Sequence, residues 1–306
     1  MTYHRNENLY SLLKENPDRV YVVAEAGLNH GGNKERALAL LRAAKWAGAD
    51  AVKFQIFGAD RLSSTLPLDA AGALYKEARR LGIEVLSTPF DKDSADFLDD
   101  LGVGAFKIAP ADITNRTLIE HVSKKGKPVL LSTGMSTGEQ IENAIDWMHT
   151  QLNDQVVLLH CVSSYPAELA ELNLKSVQYL RDWFGEPVGF SDHSVGTLAS
   201  VVATSVGAQV IERYFKIESR GDTPDQAVSM DARALKNHIE ELRTIAAVLG
   251  ERRKVPSGAE TYTRTSSRQA LLAPPPIVPD EAVNPDMLYA FHPAAAAAAA
   301  GGARVQ

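Results

Sequence analysis

The stretch VIERYF, residues 210–215, is the last of eight short apolar runs in a chain of 306 residues. It begins like a buried strand and then places an acid, a base and a phenol at its end. Runs of this kind are typical of parallel strands that are covered on both faces. The seven earlier runs are VYVVAEAG (20–27), AVKFQIF (51–57), IEVLSTPF (83–90), AFKIAPAD (105–112), PVLLSTG (128–134), VVLLHCVSS (156–164) and PVGFSDH (187–193).

Helical patterns separate these runs. In NKERALALLRAAKWAGA, Leu38 and Leu41 have helical spacing and Gly48 suits the helix end. A later pattern opens at Thr137, a plausible N-cap, and DARALKNHIEELRTIAAVLG has the apolar stripe of a closing helix. Eight strand–helix units predict an α/β fold of the (β/α)₈ TIM-barrel type. A doubly wound open sheet is the alternative, but it usually has fewer strands.

The pattern also predicts the domain organisation. We expect an N-terminal extension over residues 1–19 and the barrel over residues 20–258. Residues 259–293 are rich in proline and indicate a linker, whereas residues 294–306, AAAAAAAGGARVQ, indicate a disordered low-complexity tail.

Composition restricts the partners and the location. The net charge is −6, and the basic residues are dispersed, which argues against nucleic acid or an anionic membrane as the main partner. The single cysteine, Cys161, excludes an intramolecular disulfide and a cysteine-based metal cluster. No signal peptide and no apolar run of membrane-spanning length is visible, so we expect a cytoplasmic protein.

Polar residues follow the apolar body of every predicted strand. Because function lies at the carboxyl ends of the strands in this type of barrel, these residues are expected to converge on a polar cavity. Polar groups in such a cavity must be paired or bind a ligand. They are Glu25, Asn29 and His30; Lys53 and Gln55; Ser87 and Thr88; Lys107; Ser132 and Thr133; His160, Ser163, Ser164 and Tyr165; Ser191, Asp192 and His193; and Glu212, Arg213 and Tyr214.

The types of these residues favour an anion site. Lys53 and Lys107 lie inside apolar runs, where either a carboxylate or an anionic ligand must compensate each ammonium group. Ser132 precedes a predicted helix start, a position that suits a phosphate. Glu25 can serve as an acid or base or pair with a lysine, and His193 can be a structural residue or a metal ligand.

The motifs together resemble the sialic acid synthase family, of the N-acetylneuraminate synthase type, from about Tyr21 to Leu249. They are AEAGLNHGG, AGADAVKFQIF, LSTPFD, FKIAPADITN, KPVLLSTGMST, LLHCVSSYPAE, GFSDHSVG and DQAVSMD. The resemblance implies a TIM barrel that condenses phosphoenolpyruvate with the aldehyde of an N-acetylated amino sugar. It also implies a divalent metal, Mn²⁺ or Mg²⁺, and a homodimer.

The resemblance assigns roles to the polar residues. Phosphoenolpyruvate contacts are expected from Lys53, Lys107, Lys127, Ser132 and Ser191. The catalytic candidates are Glu25, Glu212 and Tyr214. The acceptor is expected to contact Gln55, Tyr165 and Asp225, and His193 matches one metal ligand.

Three departures from the family pattern alter these expectations. The family's ERHF is ERYF here, so Tyr214 stands where the second metal-binding histidine is expected, and a neutral phenol is a poor ligand for Mn²⁺ or Mg²⁺. KIASGD is KIAPAD, in which Pro110 lacks a hydroxyl and an amide donor. By the resemblance, residues 259–293 are expected to be a linker and the start of the family's C-terminal antifreeze-like domain, with the rest of that domain lost. An active synthase in which Tyr214 donates a proton is favoured, and a binding or regulatory subunit is the alternative.

Overall fold

The structure, a computed structural model, describes residues 8–55, 66, 68–217, 224–272 and 289–291. The chain divides into two compact units, residues 1–250 and 251–306. The domain boundaries predicted from the sequence stay predictions. None of the described helices is long and apolar enough to cross a membrane.

The first unit contains a closed parallel sheet of eight strands. Each strand pairs with its neighbours along the chain, and the first strand pairs in parallel with the eighth, which closes the barrel. The predicted (β/α)₈ fold is therefore confirmed. The strands are β1 (Tyr21–Gly27), β2 (Ala51–Gln55), β3 (Glu84–Thr88), β4 (Phe106–Ile108), β5 (Val129–Ser132), β6 (Val156–Cys161), β7 (Val188–Asp192) and β8 (Val210–Lys216).

Helices alternate with these strands. The predicted ends are confirmed at two of them: Gly48 terminates a helix in the left-handed region at φ 89°, and the Thr137 side chain accepts a hydrogen bond from the Gln140 amide. A two-residue strand, β9 (Met230–Asp231), pairs in parallel with the end of β8. The helices are α1 (Leu9–Glu15), α2 (Lys34–Ala47), α3 (Leu68–Leu81), α4 (Lys92–Leu101), α5 (Arg116–Ser123), α6 (Gly138–His149), α7 (Lys175–Phe184), α8 (Leu198–Ser205) and α9 (Ala232–Leu249).

The two faces of each barrel strand have different surroundings. Side chains alternate across a strand. The outward-facing set packs against the helices, and the inward-facing set fills the interior of the barrel. The inner set is apolar toward the amino ends of the strands and becomes polar toward their carboxyl ends. The apolar inner residues are Tyr21, Val23, Ala51, Leu86, Ala105, Leu130, Val157, Leu159 and Val210.

Helix α1 joins this inner apolar cluster through Leu9 and Leu13, both buried. Asn8 caps its start. The Asn8 side chain accepts a hydrogen bond from the Ser11 amide, and the Ser11 hydroxyl accepts one from the Asn8 amide. The sequence indicated only an extension here. The structure shows a helix that covers the apolar end of the barrel, which leaves the polar end as the place for a site.

The second unit contains a short helix, α10 (Thr261–Ser267), and an antiparallel pair formed by β10 (Ala270–Leu272) and β11 (Tyr289–Phe291). These elements lie in the segment for which the sequence predicted a linker without regular structure. The predicted disordered tail, residues 294–306, lies outside the described residues.

Candidate active site

The polar inner residues of the barrel line one cavity of about 70 Å³ at the carboxyl ends of the strands. Alternation along the strands selects them: on β8, Glu212 and Tyr214 point inward, whereas Arg213 pairs with Asp192 at 2.9 Å on the other face. The lining residues are Lys53, Gln55, Thr88, Phe90, Lys107, Ala109, Pro110, Ser132, Cys161, Tyr165, Ser191, His193, Glu212 and Tyr214.

Lys53 lies between two buried carboxylates. Its Nζ is 2.8 Å from Glu25 Oε2 and 2.9 Å from Glu212 Oε2. Burial alone would lower the pKa of Lys53, but the neighbouring carboxylates of Glu212 and Glu25 raise it above its ordinary value. Lys53 therefore stays charged and holds the two acids together.

Lys107 is placed differently. Its Nζ is 3.9 Å from Glu212 Oε1, which is too long for a hydrogen bond. Burial lowers the pKa of Lys107 to about 8, although the Glu212 carboxylate opposes that shift. Burial favours the neutral form of Glu212 as well, but the ammonium groups of Lys107 and Lys53 bring its pKa down to about 2. Lys107 is therefore the ammonium group better placed to meet an anion.

Glu25 is fully buried on β1. Its Oε1 accepts a hydrogen bond of 2.7 Å from the Gly27 amide, and its Oε2 contacts Lys53. Burial raises the pKa of Glu25 to about 7, even though Lys53 favours the charged form. A carboxyl group with a pKa near neutrality can both take up and release a proton at physiological pH.

Two hydroxyl groups complete the charged centre. Ser191 Oγ donates to Glu212 Oε1 at 2.7 Å and lies 3.3 Å from His193 Nε2. The Ser132 hydroxyl is buried beside the Cys161 thiol and has no oxygen or nitrogen partner among the described residues. A buried hydroxyl without an oxygen or nitrogen partner, in a cavity lined by lysines, is a position where a ligand oxygen would be stabilised.

The donor atoms around His193 decide whether this residue can hold a metal ion. Its Nδ1 lies 2.7 Å from the Val162 carbonyl, which leaves Nε2 as the ring nitrogen on the Ser191 side. The ring of Tyr214 is 5.9 Å away between centroids, and burial raises the pKa of this phenol well above 10. Among the described residues no group of three His, Cys, Asp or Glu side chains is placed to hold a metal. The donors present do not fit the two-histidine metal site that the sequence resemblance implies.

Two of the three predicted acceptor residues, Gln55 and Tyr165, line the cavity, whereas Asp225 lies beside the loop that follows β1. Tyr165 is about half exposed; its ring centroid is 4.2 Å from that of His193, and its edge faces Tyr214 at 6.2 Å. Asp225 Oδ2 accepts a 2.7 Å hydrogen bond from the Leu28 amide, at the loop that follows β1. Gln55 ends β2 and lines the cavity.

Lys127 requires a correction. The residue precedes β5 and therefore lies at the amino end of that strand, opposite the cavity. Its Nζ contacts Asp99 Oδ1 at 2.5 Å, and its carbonyl accepts from Asn153. The expected phosphoenolpyruvate contact of Lys127 came from the family resemblance, and its position at the amino end of β5 places it away from the cavity.

Cys161 lines the cavity, although it was not among the site residues predicted from the sequence. It lies two positions after the inward-facing Leu159, so the period of the strand would have placed it in the cavity. Pro110 also lines the cavity, at the start of a single helical turn directly after β4. Its position confirms that this departure from the family pattern falls within the site.

Comparison with known proteins identifies the family of the chain. The family model described as NeuB family matches residues 63–254. The chain is 39% identical over 281 residues to the N,N'-diacetyllegionaminic acid synthase of Legionella pneumophila, a match that covers 82% of this chain and 79% of that one. It is 34% identical over 283 residues to the enzyme of the same name from Campylobacter jejuni, with 83% and 85% covered.

A solved structure is similar as well. The N-acetylneuraminic acid (sialic acid) synthetase of Leptospira borgpetersenii, in complex with citrate, superposes with a TM-score of 0.75 at 31% identity. The match covers 82% of this chain and 93% of that one. The fold, the cavity and these relatives together define a phosphoenolpyruvate-dependent synthase that forms carbon–carbon bonds. The chain belongs to the NeuB family.

Proposed function

We propose that this chain joins C3 of phosphoenolpyruvate to the aldehyde carbon of an acetamido sugar, giving a 3-deoxy-2-keto acid of the nonulosonic type and inorganic phosphate. The observation that carries the proposal is the pair of buried lysines at the barrel mouth, of which Lys107 lacks a hydrogen-bonded carboxylate within the described residues. A doubly anionic substrate supplies the missing negative charge.

The charge balance of the centre supports anion binding. Two ammonium groups, Lys53 and Lys107, face two carboxyl groups, Glu25 and Glu212. When Glu25 is ionised these four charges cancel, so the centre carries no net negative charge against a phosphate, and Lys107 is the ammonium group without a hydrogen-bonded carboxylate in the described part of the chain. The Ser132 hydroxyl is available to the ligand, and Ser191 can donate to it by exchanging its bond to Glu212. Lys127, at the opposite end, takes no part.

The reaction proceeds with balanced atoms. The C2=C3 electron pair of phosphoenolpyruvate forms the new bond to the aldehyde carbon, and the carbonyl pair moves to the aldehyde oxygen, which gains a proton. Water then adds to the electron-deficient C2 and loses a proton. The C2–O bond to phosphate breaks, phosphate leaves with the electron pair, and the remaining C2 hydroxyl becomes the keto group. Water thus supplies the protons that the new hydroxyl and the phosphate require.

Glu25 and Glu212 have separate roles in this scheme. Glu25, with its pKa near 7, accepts the proton of the attacking water as a general base. Glu212 remains ionised and positions Lys53, Lys107 and Ser191 through its two oxygens. Replacement of Glu212 should therefore disturb binding and stability, whereas replacement of Glu25 should chiefly slow turnover.

We expect the acceptor to contact Gln55 and Tyr165, which line the cavity, and Asp225 at the loop after β1. Two of the relatives are named for a product with two acetamido groups, which makes a diacetamido sugar a better first candidate than N-acetylmannosamine. The aromatic face of Tyr165 offers a surface for an acetamido methyl group. The homodimer and the cytoplasmic location remain predictions; light scattering after gel filtration checks the first.

The test is phosphate release that requires both substrates. The full chain is mixed with phosphoenolpyruvate and either a diacetamido hexose or N-acetylmannosamine, with and without Mn²⁺, and phosphate is measured. Release that depends on the aldehyde supports the synthase. Saturable binding of phosphoenolpyruvate without release, for both sugars and both metal conditions, would favour the binding or regulatory subunit instead.

A further inference from the structure

Tyr214, at the second expected metal position, is placed to act as a hydrogen-bond donor in the cavity. Tyr214 lies two residues after Glu212 on β8, so both side chains enter the barrel, and it pairs in register with Glu25 on β1. Tyr214 is buried at 6% exposure and still lines the cavity. Its hydroxyl group therefore belongs to the same space as the two lysines and His193.

The Tyr214 ring is held from two sides. A Cβ built at Gly27 would lie 2.7 Å from Tyr214 Cε1, so the ring packs directly on the backbone at a glycine with φ +49°. On another side the ring meets Tyr165 nearly perpendicularly, with 6.2 Å between the centroids and 89° between the planes. A ring with this little freedom gives its hydroxyl a fixed place.

His193 and Tyr214 do not make an ion site between them. His193 presents one ring nitrogen, and the carboxylates nearest to it are already committed: Glu212 to Lys53 and Ser191, and Asp192 to Arg213. A phenol is neutral and protonated near neutral pH, and hard divalent cations prefer charged oxygen ligands. The same O–H group is well suited to donate to a carbonyl oxygen.

We propose that Tyr214 takes the place of the divalent ion that the family pattern implies. Its O–H group binds the acceptor aldehyde oxygen and transfers its proton to that oxygen as the new carbon–carbon bond forms. Turnover therefore needs no divalent metal. This inference rests on the proposed function. The phenolate that forms is reprotonated by the proton that Glu25 takes from the water added at C2. Glu25 neighbours Tyr214 across the β1–β8 pairing, so the proton has a short way to return.

If Tyr214 binds the acceptor oxygen, the positions of both substrates in the cavity follow. The phosphate end of phosphoenolpyruvate lies toward Lys107 and Ser132, and the aldehyde lies between Tyr214 and Tyr165. Charge that develops on the aldehyde oxygen is then met by a preorganised donor on a buried ring.

The first arm of the test is activity. Wild-type chain treated with EDTA and passed through a desalting column is expected to retain its phosphate release. Tyr214→Phe is expected to lose about 10²- to 10⁴-fold in kcat, the range for removal of a general acid, with unchanged phosphoenolpyruvate affinity. Tyr179→Phe is the control, because it removes a phenolic hydroxyl on the exposed side of α7. Its kcat should equal that of wild type.

The second arm is metal binding without turnover. Tyr214→His is expected to acquire a Mn²⁺ site seen by the electron paramagnetic resonance of the bound ion. That site should be lost in the double variant Tyr214→His, His193→Ala and be missing in wild type.

The outcomes separate the two proposals. Wild type that loses activity in EDTA and regains it with Mn²⁺ overturns the role of Tyr214 and leaves the synthase intact. A wild-type Mn²⁺ signal that His193→Ala abolishes also overturns that role. Wild type that releases no phosphate with either sugar, with or without Mn²⁺, overturns both.

Discussion

Lys107 Nζ lies 3.9 Å from Glu212 Oε1, whereas Lys53 Nζ is 2.9 Å from the other oxygen of the same carboxylate. One carboxylate thus holds one lysine in a hydrogen-bonded pair and leaves the second at a longer distance. This asymmetry makes Lys107 the ammonium group that gains most from an incoming phosphate, and it gives the two lysines different expected phenotypes.

Replacement of Lys107 tests this difference. Lys107→Gln is expected to weaken phosphoenolpyruvate binding by roughly tenfold to more than a hundredfold, since a hydrogen bond to a charged group contributes about 1.5–3 kcal/mol. Isothermal titration gives the dissociation constant. Lys127→Gln is the matched control, because Lys127 pairs with Asp99 at the other end of the barrel. Equal losses from both variants would contradict the placement of the anion site.

The pH profile should show two limbs. Glu25 acts as a base only when ionised, so kcat/KM for phosphate release is expected to rise through pH about 7. Lys107 binds the anion only when protonated, so the rate is expected to fall again through pH about 8. Both are macroscopic values of one interacting cluster.

Two variants assign the limbs. Glu25→Gln should remove the acid limb together with most of the activity. Lys107→Arg keeps its charge at high pH and should remove the alkaline limb. A wild-type profile that stays flat from pH 6 to 9 would show that neither group controls the reaction.

Glu212 should matter for stability as well. Its folded pKa of about 2 lies below the ordinary value of 4.5, so its contribution is present above pH 4.5 and is lost as pH falls toward 2. Removing one partner of a buried ion pair typically costs about 3–5 kcal/mol, and Glu212→Gln is expected to lower the free energy of unfolding by about that much at pH 7.

Urea unfolding at pH 7 and pH 3 measures the effect of Glu212→Gln, and the difference from wild type should shrink at the lower pH. Glu120→Gln, which removes an exposed pair with Arg116, should cost less than about 1 kcal/mol. A Glu212 variant as stable as that control would mean that the buried lysines do not need this carboxylate.

Gly27 is expected to be sensitive to a single methyl group. An added Cβ would lie 2.2 Å from Asp225 Oδ2 and 2.7 Å from Tyr214 Cε1. Gly82→Ala is the matched control, because Gly82 has φ +65° with nothing within 4 Å of the added carbon, so it bears only the backbone cost of about 1–2 kcal/mol. Gly27→Ala should lose turnover beyond any loss of stability, measured by phosphate release at saturating phosphoenolpyruvate. Equal activity in the two variants would contradict close packing at this corner of the site.

Much of the barrel follows from the sequence, because eight apolar runs with helical patterns between them leave few other arrangements. The polar residues after those runs also identified most of the cavity. Lys127 was misplaced because the motif resemblance does not show at which end of a strand a flanking lysine lies. Asp192 and Arg213 were grouped with the site, whereas strand alternation turns them outward into a buried pair.

Other features depend on three-dimensional relations that a linear pattern does not contain. The bridge from Lys53 to both Glu25 and Glu212 joins strands 1, 2 and 8, which meet only when the barrel closes. Helix α1 has only seven residues, which is too short for a clear periodic signal. Its two buried leucines are explained only by the barrel end that they cover.

The central claim is that phosphate leaves by cleavage of its bond to carbon after a new carbon–carbon bond has formed. The direct measurement is a reaction with phosphoenolpyruvate and a diacetamido hexose in H₂¹⁸O, analysed by mass spectrometry. We expect unlabelled phosphate and a keto acid whose mass equals both substrates plus water minus phosphate. Phosphate that carries ¹⁸O, or pyruvate without the condensed product, would show simple hydrolysis and contradict the account.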